Sequence, residues 1–223
     1  MITYNGSALR VNGVTVDYNY DPYNPLGLPP CTMRYEFTGV DSGFDPTEFV
    51  WFAGSWTHAG GSQWDWTCND RRVWFKPIYK ETPEASAWSH LVYLKHCKVL
   101  GANTTGITTM DAAFDQHRYL ESVALFDTSS VTDFRFFMRS GSGYNPVLRE
   151  IPLFDTSSAT DMSEAFLHCI NVESGALALY TQASSQANPP ASHSRTFENC
   201  GSNTVTGAAE LAQIPASWGG TGA

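Results

Sequence analysis

The chain has 223 residues, 42% of them apolar and only 16% charged, with 21 serines and 21 threonines. At roughly 150 residues per domain this is one domain or two small ones, long enough to bury a core without covalent staples. Thirteen basic against 22 acidic side chains give a net charge of −9, which excludes a nucleic-acid partner that must be held through its phosphates, while the aromatic content and sparse charge exclude a disordered tail or a coiled coil.

No apolar run approaches the ~20 residues that cross a bilayer, so no membrane insertion is expected. The opening Met1-Ile2-Thr3-Tyr4-Asn5-Gly6 carries neither a basic region nor an apolar one, so no signal peptide is visible. The five cysteines, Cys31, Cys68, Cys97, Cys169 and Cys200, include no C-x-x-C pair. They read as small buried thiols and not as a disulfide framework or zinc site. Whether Cys31 and Cys68 are joined stays open.

Residues 1–88 are expected to form a small, antiparallel, Trp-rich β domain. Asn5-Gly6 and Asn12-Gly13 are two-residue hairpin signals between Ile2-Tyr4, Leu9-Val11 and Val14-Tyr18, because both central residues of such a turn take positive φ. A proline-rich link, Pro22 to Pro30, precedes Met33-Tyr35-Phe37 and an aromatic stretch through Phe49-Trp51, Trp56, Trp64-Trp66 and Val73-Phe75. Six of the seven tryptophans fall between Trp51 and Trp88.

Residues 89–223 repeat. Ile107, Val131 and Ala159 correspond, as do Met110, Phe134 and Met162, and Phe114, Met138 and Phe166, at offsets of 24 and 28. Before the later two units, Leu120-x-x-Val123-x-Leu125-Phe126-Asp127-Thr128-Ser129-Ser130 recurs as Leu148-x-x-Ile151-x-Leu153-Phe154-Asp155-Thr156-Ser157-Ser158. L-x-x-L-x-L at this period predicts a short leucine-rich-repeat solenoid, each unit a strand and a helical turn that cannot bury its apolar side alone. Alternation predicts Val123 and Leu125 inward. The i, i+3, i+7 spacing of Val131, Phe134 and Met138 predicts one inward helical face, and Asp127-Thr128-Ser129-Ser130 supplies oxygens to turn the chain. A partial unit reappears at Ser194–Cys200, after a helix-like insertion, Glu173 to Gln186. The segment from Ala208 to Trp218 is expected to cap the array. The fold class is thus α+β, mainly β.

These strings, with the Phe-x-x-Cys at 166–169, resemble the BspA-like leucine-rich-repeat family of bacterial surface proteins. The resemblance covers residues 95 to 223 and implies a non-catalytic extracellular module for adhesion or recognition. The middle unit departs from it, lacking the Phe-x-x-Cys ending and inserting four residues within Ser140–Pro146. Residues 2–16 also resemble a short N-terminal module of phage tail or fibre proteins. With no export signal visible, display on a virion released by lysis is expected ahead of display on a cell surface.

Candidate contacts follow from residue chemistry. Trp51, Trp56, Trp64, Trp66 and Trp74 offer broad apolar faces with an N–H edge, suited to stacking on sugars, or else fill the core of a small leucine-poor domain. Tyr144 and Asn145 sit in the insertion, and insertions in repeat arrays map to one face. Glu121 and Arg149 lie beside the repeated strands. Asp127, Asp133, Asp155 and Asp161 would stack as ladders, either as calcium ligands or as turn formers. No motif selects two carboxylates or pairs two histidines, so no enzyme, metal or cofactor is expected. The expected partner is a host-surface protein or glycan. The alternatives are a structural virion component contacting other subunits or copies of itself, and a carbohydrate-active enzyme with its site in the Trp-rich domain.

Overall fold

The computed structural model describes residues 97–104, 107–143 and 146–223 in full, and before them the backbone of eight strands. Strands β1 (Ile2–Tyr4), β2 (Leu9–Val11) and β3 (Val14–Val16) form an antiparallel sheet in that order. Val11 pairs with Val14, which leaves Asn12-Gly13 as the two-residue link. Tyr4 pairs with Leu9, which leaves residues 5–8, Asn5-Gly6 among them, between the first two strands. The linking residues themselves lie outside the described set.

Seven further strands follow in chain order: β4 (Thr32–Phe37), β5 (Gly39–Val40), β6 (Trp51–Phe52), β7 (Arg72–Pro77), β8 (Leu94–Lys95), β9 (Cys97–Asn103) and β10 (Leu120–Val123). The larger sheet has the order β10-β9-β4-β7-β6, and β5 pairs with β8. β4 is antiparallel to β7 and β9, whereas β9 and β10 are parallel. This sheet combines β4, β6 and β7 with β9 and β10. Cys97 and Val99 alternate inward along β9 until the register against β4 shifts between Arg34 and Tyr35; beyond the shift Gly101 and Ala102 are both buried. One extra residue in one strand produces such a change of face.

From residue 107 the chain is arranged in rungs: 107–117, 131–141, 159–169 and 190–200. Parallel bridges link Thr109, Asp133, Asp161 and Ser192 in succession. The backbone N–H groups of Met110, Ala112, Phe114 and Gln116 donate to the carbonyls of Asp133, Arg135, Phe137 and Arg139 at 2.6–2.9 Å. Phe134, Phe136, Met138 and Ser140 repeat the pattern onto the third rung, and Met162, Glu164, Phe166 and His168 onto the fourth. Intervening N–H groups close turns within the rung, such as Ala113 to the Met110 carbonyl at 3.1 Å.

This division of donors explains why the expected helical turn is absent. Bonds that a helix would direct along its own axis go to the neighbouring rung instead. The geometry requires left-handed backbone at Ala112, Phe136, Glu164 and Arg195, with φ of 54°, 54°, 57° and 58°. Each such non-glycine residue costs about 1–2 kcal/mol, offset by the inter-rung bonds it enables.

Inside the rungs, Phe114, Met138, Phe166 and Phe197 form one buried column, and Met110, Phe134 and Met162 another. Phe137 meets Phe154 edge-on at 5.2 Å, and Phe166 stacks on Phe197 at 5.6 Å. Between the rungs, Leu120, Val123 and Phe126 are buried, as are Leu148, Ile151 and Phe154. Leu125 and Leu153, by contrast, are 42% and 53% exposed. The inward position expected for Leu125 is thus corrected. β10 ends at Val123, and a three-residue spacing carries the larger Phe126 ring inward, where it removes more apolar area from water.

Helix α1 (Ala176–Ser184) lies within the 173–186 insertion and buries Ala176, Leu179 and Ala183. Its first turn has no acidic residue of its own; the Glu210 carboxylate of α2 (Val205–Leu211) accepts from the Leu177 N–H at 3.0 Å. An acceptor there satisfies a donor that has no partner within the helix. Thr204 caps α2 by accepting from Gly207 N–H at 3.0 Å. Gly207 has no alternative residue, because a Cβ would come within 2.6 Å of the Gly201 backbone. Trp218 closes this end, stacked on His193 at 4.2 Å and near Phe197.

Candidate recognition surface

Of the residues proposed from sequence, Trp56, Trp64, Trp66, Tyr144 and Asn145 lie outside the described residues. Trp51 falls in β6 opposite Phe75, and Trp74 in β7 has Tyr35 and Phe52 as its register partners. Glu121 and Arg149 are fully described and occupy equivalent positions, 28 residues apart. Glu121 pairs with Lys98 of β9 at 3.4 Å. Arg149 is more exposed; its guanidinium donates to the Asn171 carbonyl at 3.3 Å and lies 3.5 Å from Glu173.

Between these two residues' segments lies a groove of about 340 Å³, lined by Ser122, Val123, Leu125, Glu150, Pro152 and Leu153. Its origin is a lapse in the backbone ladder. β10 pairs with β9, while the Ile151 N–H donates to Ser174 and the Arg149 carbonyl accepts from Glu173. Among the described residues, no backbone hydrogen bond joins 120–126 to 148–154. Pro152 has no N–H to offer, and the four-residue insertion precedes this segment. Contact resumes just beyond the groove, where Thr128 Oγ1 donates to the Asp155 carbonyl at 2.7 Å.

Leu125 and Leu153, the central apolar residues of the groove, are named in the repeat but as core. Their equivalence at an offset of 28 was legible; their exposure was not, because it depends on where β10 ends. Glu150 lines the same groove. Two residues past each leucine stand Asp127 and Asp155, whose Oδ1 atoms accept the N–H groups of Ser129 and Ser157 at 2.9 and 2.8 Å. Asp133 and Asp161 do the same for Arg135 and Ser163. All four aspartates therefore act as turn formers. Among the described residues, no group of three His, Cys, Asp or Glu side chains is disposed to hold a metal.

Elsewhere on the rungs runs a chain of ion pairs. Arg139 meets Asp115 at 2.8 Å and Glu164 at 3.5 Å; Arg195 meets Glu164 at 3.0 Å and Glu198 at 2.7 Å. Partly exposed pairs of this kind are worth roughly 0–1 kcal/mol each, so they tie rungs together more than they stabilise the whole. Sequence reading missed them, although Asp115 and Arg139 stand 24 residues apart and Glu164 and Arg195 stand 31 apart, which are offsets of the repeat.

The position that ends each rung is held by His117, Gly141, Cys169 and Cys200, all buried except the half-buried Gly141. His117 takes the place that cysteine takes later. Burial pushes its ring down to about 4, and Nδ1 lies 2.8 Å from the Phe114 carbonyl, so the neutral ring donates there. Burial raises the thiols of Cys169 and Cys200 well above their ordinary range. Cys169 Sγ donates to the Met138 carbonyl at 3.0 Å. Held protonated, these thiols behave as small core groups and not as nucleophiles.

Compared with known proteins, residues 89–203 match the family described as "Mycoplasma protein of unknown function, DUF285". No curated protein and no solved structure matches the chain.

Proposed function

The chain belongs to the DUF285 family, and from that premise we propose a non-catalytic recognition module, displayed outside the cell on a virion or a bacterial surface, that binds a host-surface protein or glycan. In this reading residues 89–223 are a short leucine-rich-repeat solenoid of the BspA-like kind. Its support is the successive pairing of rungs at offsets of 24, 28 and 31.

The observation that carries the functional reading is the contrast between a buried, repeated interior and an exposed leucine pair in a groove between the segments of Glu121 and Arg149. Soluble surfaces rarely group large apolar residues in a concavity without a partner to cover them. The purified full chain, applied to a glycan array and to host-cell surfaces, is expected to bind one of them. Absence of binding to both, together with stable incorporation into a particle, defeats recognition and favours a structural assembly role. In that case Leu125 and Leu153 would pack against sister subunits, and the chain would sediment as an oligomer.

A further inference from the structure

We propose that the groove takes a segment of a partner protein that combines aliphatic side chains with lysine or arginine; this rests on the recognition reading above and names its ligand class. The apolar part of the argument is the pair Leu125 and Leu153, 42% and 53% exposed on facing segments whose backbones do not pair. Pro152 and Val123 extend the apolar lining.

Charge decides the rest. The cations beside this surface already have acidic partners: Lys98 with Glu121 at 3.4 Å and Arg149 with Glu173 at 3.5 Å. Glu150 in the groove, and Asp127 and Asp155 two residues beyond the leucines, have no ion pair among the described residues. Asp127 and Asp155 each use one carboxylate oxygen for a turn. An apolar strip that includes Glu150, with Asp127 and Asp155 two residues along the chain from its leucines, complements a ligand with aliphatic groups flanked by fixed cations. A neutral glycan satisfies neither half of that description.

The test uses the full chain and arrays of short synthetic peptides in which leucine alternates with lysine, with serine or with glutamate, beside a glycan array. Leucine–lysine peptides should bind best, and added salt should weaken them. The double change Leu125→Ser with Leu153→Ser should lower that affinity about tenfold or more, since two apolar contacts are lost. Glu150→Lys should lower it about tenfold and shift preference toward the glutamate series. Both variants alter exposed residues, so unchanged thermal melting separates loss of binding from loss of fold. Equal binding of the lysine and glutamate series, or binding untouched by either variant, overturns the inference. Binding to glycans alone overturns it while leaving recognition standing, and silence on peptides, glycans and host cells removes both.

Discussion

The rungs and the segments between them solve the problem of stacking in different ways. Along 110–117, 134–141 and 162–169, alternate backbone N–H groups bond to the next rung and the rest close turns, while 193–200 accepts the last set of these bonds. Along 120–126 and 148–154, the apolar residues still point inward every third position, yet the two backbones do not pair. Ladder and ion pairs therefore join rung to rung, whereas 120–126 and 148–154 bond to other segments and meet each other through side-chain packing. A surface freed from the ladder can vary in outline and carry exposed apolar groups without disturbing the core. The insertion, the groove and the unpaired acids are found on this part of the molecule.

The largest effect that would sharpen this contrast is at Phe166, about 1% exposed and stacked on Phe197. Phe166→Ala should cost about 3–5 kcal/mol of stability in equilibrium denaturation, whereas Leu125→Ser should stay within about 0.5 kcal/mol. Similar losses for the two would break the comparison.

Next in size is a pH effect at His117, whose ring titrates near 4 in the fold against 6.5 ordinarily. The unfolded chain takes up the proton first as pH falls, so this group's contribution is complete above about pH 6.5 and declines toward pH 4, by on the order of 3 kcal/mol. His117→Cys supplies the residue that later rungs carry there. The difference between wild-type and variant stability should slope across that pH window and flatten on either side of it; a level difference would remove His117 as the cause.

The smallest effect concerns the left-handed backbone. Ala112, at φ 54°, should be stabilised by glycine substitution by about 0.5–1 kcal/mol, because strain is relieved by more than the added freedom of the unfolded chain costs. The same substitution at Ala113, buried and without that strain, should destabilise. Thermal denaturation of both variants distinguishes the rung geometry from generic loop behaviour.

Much of the interior was readable from the repeat. Met110, Phe134 and Met162, and Phe114, Met138 and Phe166, are equivalent in sequence and buried together. The turn-forming role of Asp127 and Asp155 was readable too, because an Asx side chain reaches a backbone N–H two residues on whatever surrounds it. The helical turn was misread, since i, i+3, i+7 spacing also describes a rung whose donors point to its neighbour. The left-handed positions left no trace, for Ala112, Phe136, Glu164 and Arg195 share no side-chain preference. Of the candidate surface, Glu121 and Arg149 lie on the two segments that hold the groove without lining it, and Leu125, Glu150, Pro152 and Leu153 were not recognised as a groove.

Sequence by itself therefore determined which residues are equivalent, because repeated apolar positions record a shared interior. Tertiary structure decided which way the backbone donors point, where β10 stops and which of two adjacent apolar residues turns inward. Those choices depend on hydrogen bonds and packing between segments 22 to 33 residues apart, and no local pattern of side chains encodes a bond whose partner lies on another rung.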